Sequence, residues 1–412
     1  MRLSMCVLAV LLGVASILLA RADAWGQIKE KAAGDAVEKE DGAAFAAARL
    51  IVAYEPGTPQ ATEEKVVEAV AGEVKDEIEG IDAKVVTLPN VADDRPGEVR
   101  KDALERAKSK LEDEPGVASV SYDYLRKPSW TPNDALFSRQ YGLRISTFPS
   151  AWDVPRARGN TGVRIAVVDT GISAVHPDLD GKILAQRDFV GNDRVAQEEP
   201  SGHGTHVAGV AVAETGNGRG IAGGCPNCKL LAAKVLTDGG GYDSDIAEGI
   251  VWSADTGADV INLSLGGPGS SSVLKRAVDY AYNKGAVLVA SAGNNGNNVP
   301  DYPAAYANVI AVAATDNKDR RAYFSNYGAY VDVAAPGVGI LSTVPGGYRS
   351  YDGTSFSSPH VAALAGLLEG QGKYTSNSAI RTRILSTAKD LGAAGRDPYY
   401  GTGRIDAAKA VR

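Results

Sequence analysis

Between residues 163 and 368 the chain alternates short apolar runs with helix-period stretches, and this alternation restricts the fold more than any other feature. Residues 163–168, 230–236, 260–265, 287–290 and 309–313 read as strands. Residues 203–213, 243–257, 273–284 and 357–368 read as helices. Such a pattern predicts an α/β domain with a mostly parallel sheet and helices on both faces. In sheets of that kind, sites form at the carboxyl ends of the strands.

Three glycine-flanked segments carry the chemistry. They are Val167-Val168-Asp169-Thr170-Gly171, His203-Gly204-Thr205-His206-Val207-Ala208-Gly209, and Gly353-Thr354-Ser355-Phe356-Ser357-Ser358-Pro359-His360. Together they offer a carboxylate, an imidazole and a hydroxyl. A serine hydroxyl is a weak nucleophile until a base lies within hydrogen-bond reach and a third group orients that base. Taken singly, each segment has a plainer reading: Asp169 as a turn residue, Ser355 as a helix cap. His203 and His206 stand three apart on one helix face. A zinc site there would need an acidic third ligand, and the spacing suggests none.

The order Asp, His, Ser is that of subtilisin. The chain resembles subtilisin-family serine proteases over most of residues 131–412. The resemblance implies a catalytic triad of Asp169, His203 and Ser355, with His206, His176 and His360 structural. Val289-Ala290-Ser291-Ala292-Gly293-Asn294-Asn295-Gly296 resembles the family segment whose asparagine donates to the oxyanion. Asn294 is then that donor, beside the backbone N–H of Ser355, although turns also favour asparagine. Ser264-Leu265-Gly266-Gly267-Pro268 resembles the strand that pairs with substrate backbone, which implies extended or unfolded polypeptide substrates. With Ser291, Ala292 and Gly293 it walls the primary specificity pocket. Asp301 matches the bottom of that pocket, where a carboxylate favours Lys or Arg; a solvated loop aspartate is the competing reading. Broad specificity with added tolerance for basic residues is expected. The motif departs from the family at Phe356-Ser357, where Met-Ala is usual. Phe356 removes an oxidisable methionine beside the nucleophile.

The resemblance also implies calcium as cofactor. Asp134, Asp178 and Asn217 match side-chain ligands, and Glu214, Arg219 and Ile221 match carbonyl ligands. A weaker second site resembles Asp188, Asp193 and Gln197, with Gly191 where an aspartate is expected. Loops use Asp and Asn for many other purposes.

Charge divides the chain. Residues 23–129 hold 24 acidic and 15 basic residues, while 130–412 hold 26 of each. Neither part has the basic stripe of a nucleic-acid binder. Residues 1–22 read as a secretory signal: Arg2, an apolar stretch at 7–20, then Ala20-Arg21-Ala22. That stretch is short for a membrane span, which needs about 20 residues. Secretion without a membrane anchor after signal removal is expected.

Residues 23–48 have little apolar periodicity and read as a flexible lead-in. A strand at 49–54, a helix at 62–79, a strand at 83–88, a helix at 97–112 and a strand at 116–122 follow. This pattern resembles the small α/β, ferredoxin-like prosegment of subtilisins, which implies a folding helper and temporary inhibitor spanning 23–129. Cleavage between Tyr124 and Thr131 is expected, with a peptidase domain at 130–412.

Cys225-Pro226-Asn227-Cys228 leaves three readings open: redox chemistry, half a zinc site, or a local disulfide. Export favours the disulfide. The functional expectation is a secreted, monomeric serine endopeptidase made as a self-processed zymogen. The rivals are a catalytically dead scaffold and a narrow processing enzyme or peptide ligase.

Overall fold

The structure is a computed structural model that describes residues 36–38, 44–91, 97–124, 130–154 and 156–412. The signal reading and the cleavage join at 125–129 lie outside these residues. Chain contacts divide the protein into two compact units, Met1–Lys127 and Pro128–Arg412.

In the larger unit seven strands form one sheet, and every pairing in it is parallel. Their order across the sheet is Val333–Pro336, Val309–Thr315, Val287–Ser291, Val260–Leu263, Arg164–Asp169, Lys229–Lys234, Ile183–Asp188. Successive side chains of a strand face opposite sides. Accordingly Ile165 and Val167 join one core, while Ala166 and Val168 join the other. Strands buried on both faces carry no polar alternation, which is why they read as unbroken apolar runs.

Helices His203–Val212 and Thr354–Gln371 cover one face, contributing Val207, Val210, Val361 and Leu364 to its core. Helices Asp243–Asp255 and Ser272–Asn283 cover the other, through Ile246, Ile250, Leu274 and Val278. The expected fold class is the one observed.

Several local readings need correction. Ser355 was expected just ahead of its helix, but it is the second residue of Thr354–Gln371. Pro359 sits inside that helix and has no N–H to give the carbonyl of Ser355. Ser264 Oγ donates to that carbonyl instead, at 2.7 Å. Ile183–Asp188 is an edge strand whose exposed Leu184 and Arg187 hid it in the sequence.

The smaller unit holds helices Gln60–Ala69 and Gly97–Glu112 against an antiparallel sheet ordered Glu73–Ile78, Ala83–Thr87, Ala44–Tyr54, Val117–Tyr124. With its two helices between strands, this is the ferredoxin-like arrangement. The single helix expected over 62–79 is a helix that stops at Ala69 and a strand from Glu73. Ala71 takes a positive φ of 50°, and a Cβ on Gly72 would lie 2.6 Å from Val86, so the chain must turn there. The new strand is an exposed edge, held by pairing with Ala83–Thr87 rather than by burial of its own side chains. Part of the lead-in is also ordered. Ala36–Glu38 pairs antiparallel with the strand Ala44–Tyr54, which begins before residue 49.

Cys225 and Cys228 are disulfide-bonded and fully buried. Gly159 takes φ +70°, and a Cβ there would lie 2.4 Å from Cys225 Sγ.

Candidate active site

Asp169 ends the interior strand Arg164–Asp169, and its carboxylate is fully buried. His203 opens the helix that follows Gly202, a residue at φ +71°. The two side chains meet: His203 Nδ1 lies 2.6 Å from Asp169 Oδ1. The same carboxylate oxygen accepts the backbone N–H of Thr170 at 2.7 Å. Burial acts to lower the proton affinity of His203. The charge and hydrogen bond of Asp169, with Glu198 and Asp238 nearby, outweigh it and leave the pKa raised.

Ser355 comes from the helix packed beside the His203 helix. Its neighbour Phe356 presents a ring 5.3 Å from that of His203. The hydroxyl of Ser355 donates to the carbonyl of Ser264 at 3.3 Å, so it needs a side-chain rotation to reach the imidazole. Looseness of that contact is ordinary in sites without substrate.

The amide oxygen of Asn294 accepts both the N–H and the hydroxyl of Thr354, at 2.8 and 2.9 Å. Both donors use the amide oxygen, which leaves Nδ2 as an uncommitted donor among the described residues. Asn326 holds this loop by accepting from the N–H of Asn295 at 2.8 Å and donating its own N–H to the carbonyl of Gly293.

A cleft of about 870 Å³ runs along His203, Leu236, Asp238 and residues 264–269. Asp301 is only 5% exposed and lies between the two segments expected to wall the pocket. A methyl added to Gly266 would fall 2.0 Å from Asp301 Oδ1, and one on Gly293 2.8 Å from Oδ2. Among the described residues no cation pairs with it. Burial pushes its carboxyl up to about 6. A solvated loop aspartate does not fit this position. Tyr330 Oη donates to the carbonyl of Ala292 at 2.8 Å, and Ser291 is buried.

The other histidines are engaged elsewhere. His206 Nε2 contacts the carbonyls of Ile340 and Arg349 at 2.8 and 3.1 Å, and burial pushes its pKa down to about 3. His360 contacts the carbonyl of Phe356 at 2.9 Å, and burial pushes it down to about 4. His176 Nε2 meets the carbonyl of Gly347 at 2.9 Å. All three rings are held by backbone carbonyls.

The first set of expected calcium ligands is drawn together. Asp178 accepts from Asn217 Nδ2 at 3.0 Å, the N–H of Ile221 at 2.9 Å and Tyr348 Oη at 3.0 Å. Asp134 Oδ2 accepts the N–H of Gly216 at 2.8 Å, while its Oδ1 is buried without a partner. Burial raises the pKa of Asp134, and the charge of Asp178 adds to that. Among the described residues nothing donates to the carbonyl oxygens of Glu214, Arg219 or Ile221. Asn217 Oδ1 accepts the N–H of Arg219 at 2.7 Å.

In the second set, Asp188 and Asp193 bridge through their backbones, and their Oδ2 atoms lie 2.9 and 3.6 Å from where a Gly191 Cβ would be. Val195 donates its N–H to Asp193 Oδ1 at 2.7 Å and accepts the N–H of Gln197 at 2.8 Å, and the carbonyl of Gln197 accepts from Lys234 Nζ at 3.1 Å.

Thr170, Glu198, Asn326 and Thr354 went unread in the sequence. Each acts through a partner far along the chain, and a local motif carries no signal for that.

A subtilase family profile matches residues 160–403, and a fervidolysin N-terminal prodomain profile matches residues 31–122. The chain is 51% identical to thermitase of Thermoactinomyces vulgaris, over 69% of this chain and 100% of that protein. It is 49% identical to a thermophilic serine proteinase of Bacillus sp. (strain AK1), over 73% and 74% of the two chains. Among solved structures, a protease from Pseudoalteromonas arctica PAMC 21717 superposes with a TM-score of 0.63 at 35% identity, covering 68% of this chain and 99% of the other.

Proposed function

Since the chain belongs to the subtilase family, as a serine endopeptidase with an N-terminal prodomain, we propose that Ser355, His203 and Asp169 are its catalytic triad. The 2.6 Å contact between His203 Nδ1 and buried Asp169 carries this reading. That bond keeps the proton on Nδ1 and leaves Nε2 as the base. Ser355 Oγ rotates from Ser264, gives its proton to His203 and attacks the peptide carbonyl. Asn294 Nδ2 and the Ser355 N–H stabilise the oxyanion. His203 returns the proton to the leaving amine, and water then releases the acyl group by the reverse sequence. The raised pKa of His203 suits it to hold a proton between these steps. Mass spectrometry after sulfonyl fluoride treatment tests the assignment: the adduct is expected on Ser355 and absent from Ser355→Ala.

Substrate lies extended along Ser264, Leu265 and Gly266, with its primary side chain between these residues and Ser291, Ala292 and Gly293 above Asp301. Specificity is broad, with preference extended to Lys and Arg. Replacing Asn294 by alanine is expected to lower kcat about 10²–10³-fold with KM little changed, the size of loss known for subtilisin's oxyanion asparagine. A parallel rise in KM would argue for a substrate-binding role instead.

Residues 1–22 direct export, and residues 23–129 are a prosegment that inhibits the enzyme and is removed by self-processing. The prodomain match and the acidic bias of this part support the assignment. The disulfide suits an oxidising, extracellular location.

Calcium fits the first ligand set, because Asp134 Oδ1 is a buried carboxylate oxygen with nothing to balance it. Asp134, Asp178, Asn217 Oδ1 through its second lone pair, and the carbonyls of Glu214, Arg219 and Ile221 would hold the ion. When bound, calcium supplies positive charge that clamps these loops. Asp188, Asp193 and Gln197, with Gly191 where an aspartate is expected, make a weaker second site. Chelation is expected to lower Tm by about 10 °C, given about 4 kcal/mol of linkage at a thousandfold excess over Kd and about 2–4 °C per kcal/mol. Thermal melts with and without chelator check this, and Asp134→Ala should abolish the difference.

A further inference from the structure

One carboxylate that the mechanism leaves unused touches the elements carrying both Asp169 and His203. Glu198 Oε1 accepts the hydroxyl of Thr170 at 2.6 Å and the N–H of Glu199 at 2.8 Å. Its Oε2 accepts the N–H of Thr205. Thr170 Oγ1 in turn accepts the N–H of Gly204 at 2.9 Å. Gly204 and Thr205 are the second and third residues of the His203 helix, where amides lack partners within the helix. The residue before that helix, Gly202, has no side chain to cap them. Thr170 and Glu198 therefore supply both caps from outside, and the carboxylate stands at the positive end of the helix.

The hydroxyl of Thr170 has one hydrogen and two acceptors in reach. Glu198 lies at 2.6 Å and Asp169 Oδ1 at 3.2 Å. The shorter contact takes the hydrogen, so Asp169 keeps Oδ1 for His203.

We propose that Glu198 is a positioning residue for catalysis: through Thr170 it fastens the Asp169 turn to the start of the His203 helix. This rests on the reading of Asp169 and His203 given above. The charged groups around the pair are few. Asp169, Glu198 and Asp238 face His203. Glu199 beside Glu198 is paired with Lys234 Nζ, which also donates to the carbonyls of Thr170 and Gln197. Burial pushes the Glu198 carboxyl up and the charge of Asp169 adds to that, while the donors from Thr170 and Thr205 pull it back down.

The test is the pH profile of kcat/KM for the mature wild-type enzyme, Glu198→Gln, Thr170→Val and the double variant. Glu198→Gln is expected to lower kcat about 10–100-fold with KM within about twofold, as a small misplacement of the base would. It should also move the acid limb down by roughly half a pH unit, within the spread that surroundings impose on histidines. The double variant should lose little more than the worse single one, because both break the same link. An unmoved acid limb in Glu198→Gln, or losses that multiply in the double variant, overturns the proposal. Should Glu198→Gln not fold, Thr170→Val reads the same link, and an undiminished kcat there overturns it. Ser355→Ala is the control: residual activity in that variant faults the triad itself, whereas an inert Ser355→Ala with an unmoved Glu198→Gln profile faults only Glu198.

Discussion

Ser355→Ala is expected to lower kcat about 10⁶-fold, as loss of the serine does in subtilisin. The variant keeps the rest of the site. Asp169 still meets His203 at 2.6 Å, and Thr354 still orients Asn294 through its N–H and hydroxyl. Substrate should therefore bind with little change while the chemistry stops. If the protein processes itself, purified Ser355→Ala should also retain residues 23–129, and the mass of the secreted product reads this directly. A variant that sheds the segment in pure form would show that another protease performs the cut. One that still turns over peptide would overturn the triad.

Asp301→Asn is expected to cost at least tenfold in kcat/KM for substrates with lysine before the scissile bond, and little for phenylalanine. A hydrogen bond to a charged group contributes about 1.5–3 kcal/mol, a factor of about 10–150. The pH dependence is the sharper test. Asp301 has its carboxyl pushed up to about 6 by burial, with no cation beside it. Below that pH the pocket floor is neutral and lysine gains nothing. As pH rises through about 6 the carboxyl ionises, and the lysine-to-phenylalanine ratio should climb. Both substrates depend equally on His203, so its titration cancels in the ratio. A ratio that stays flat from pH 5 to 8 would remove Asp301 from specificity. In Asp301→Asn the ratio should be flat by construction.

Much of the site is legible in the sequence because its chemistry is locally encoded. Asp169 ends an apolar run that reads as a buried strand, and Ser355 and His203 follow glycines at the starts of helices. The choice of His203 over His206 came from family resemblance, not from the residues: both lie on one helix. Burial separates them, since His206 is enclosed with two backbone carbonyls while His203 faces a carboxylate. The misread helix at 62–79 shows the opposite case. Val70 and Val74 keep helical spacing, yet Val74 lies in an exposed strand whose stability comes from a neighbour ten or so residues on. Glu198 was invisible for the same reason. Helix caps are sought next to the helix start, and here that position is Gly202.

By itself the sequence determined the layered α/β fold, the order of the three reactive groups and their places at strand and helix ends. Those properties follow from hydrophobic period and turn chemistry, which act over a few residues. Only the tertiary structure decided that Asp301 is desolvated between Gly266 and Gly293. It alone left Asp134 with an unbalanced oxygen and set Glu198 against the start of the helix that carries His203. Charge state and proton affinity depend on what surrounds a group in space, and in this fold those surroundings come from distant parts of the chain.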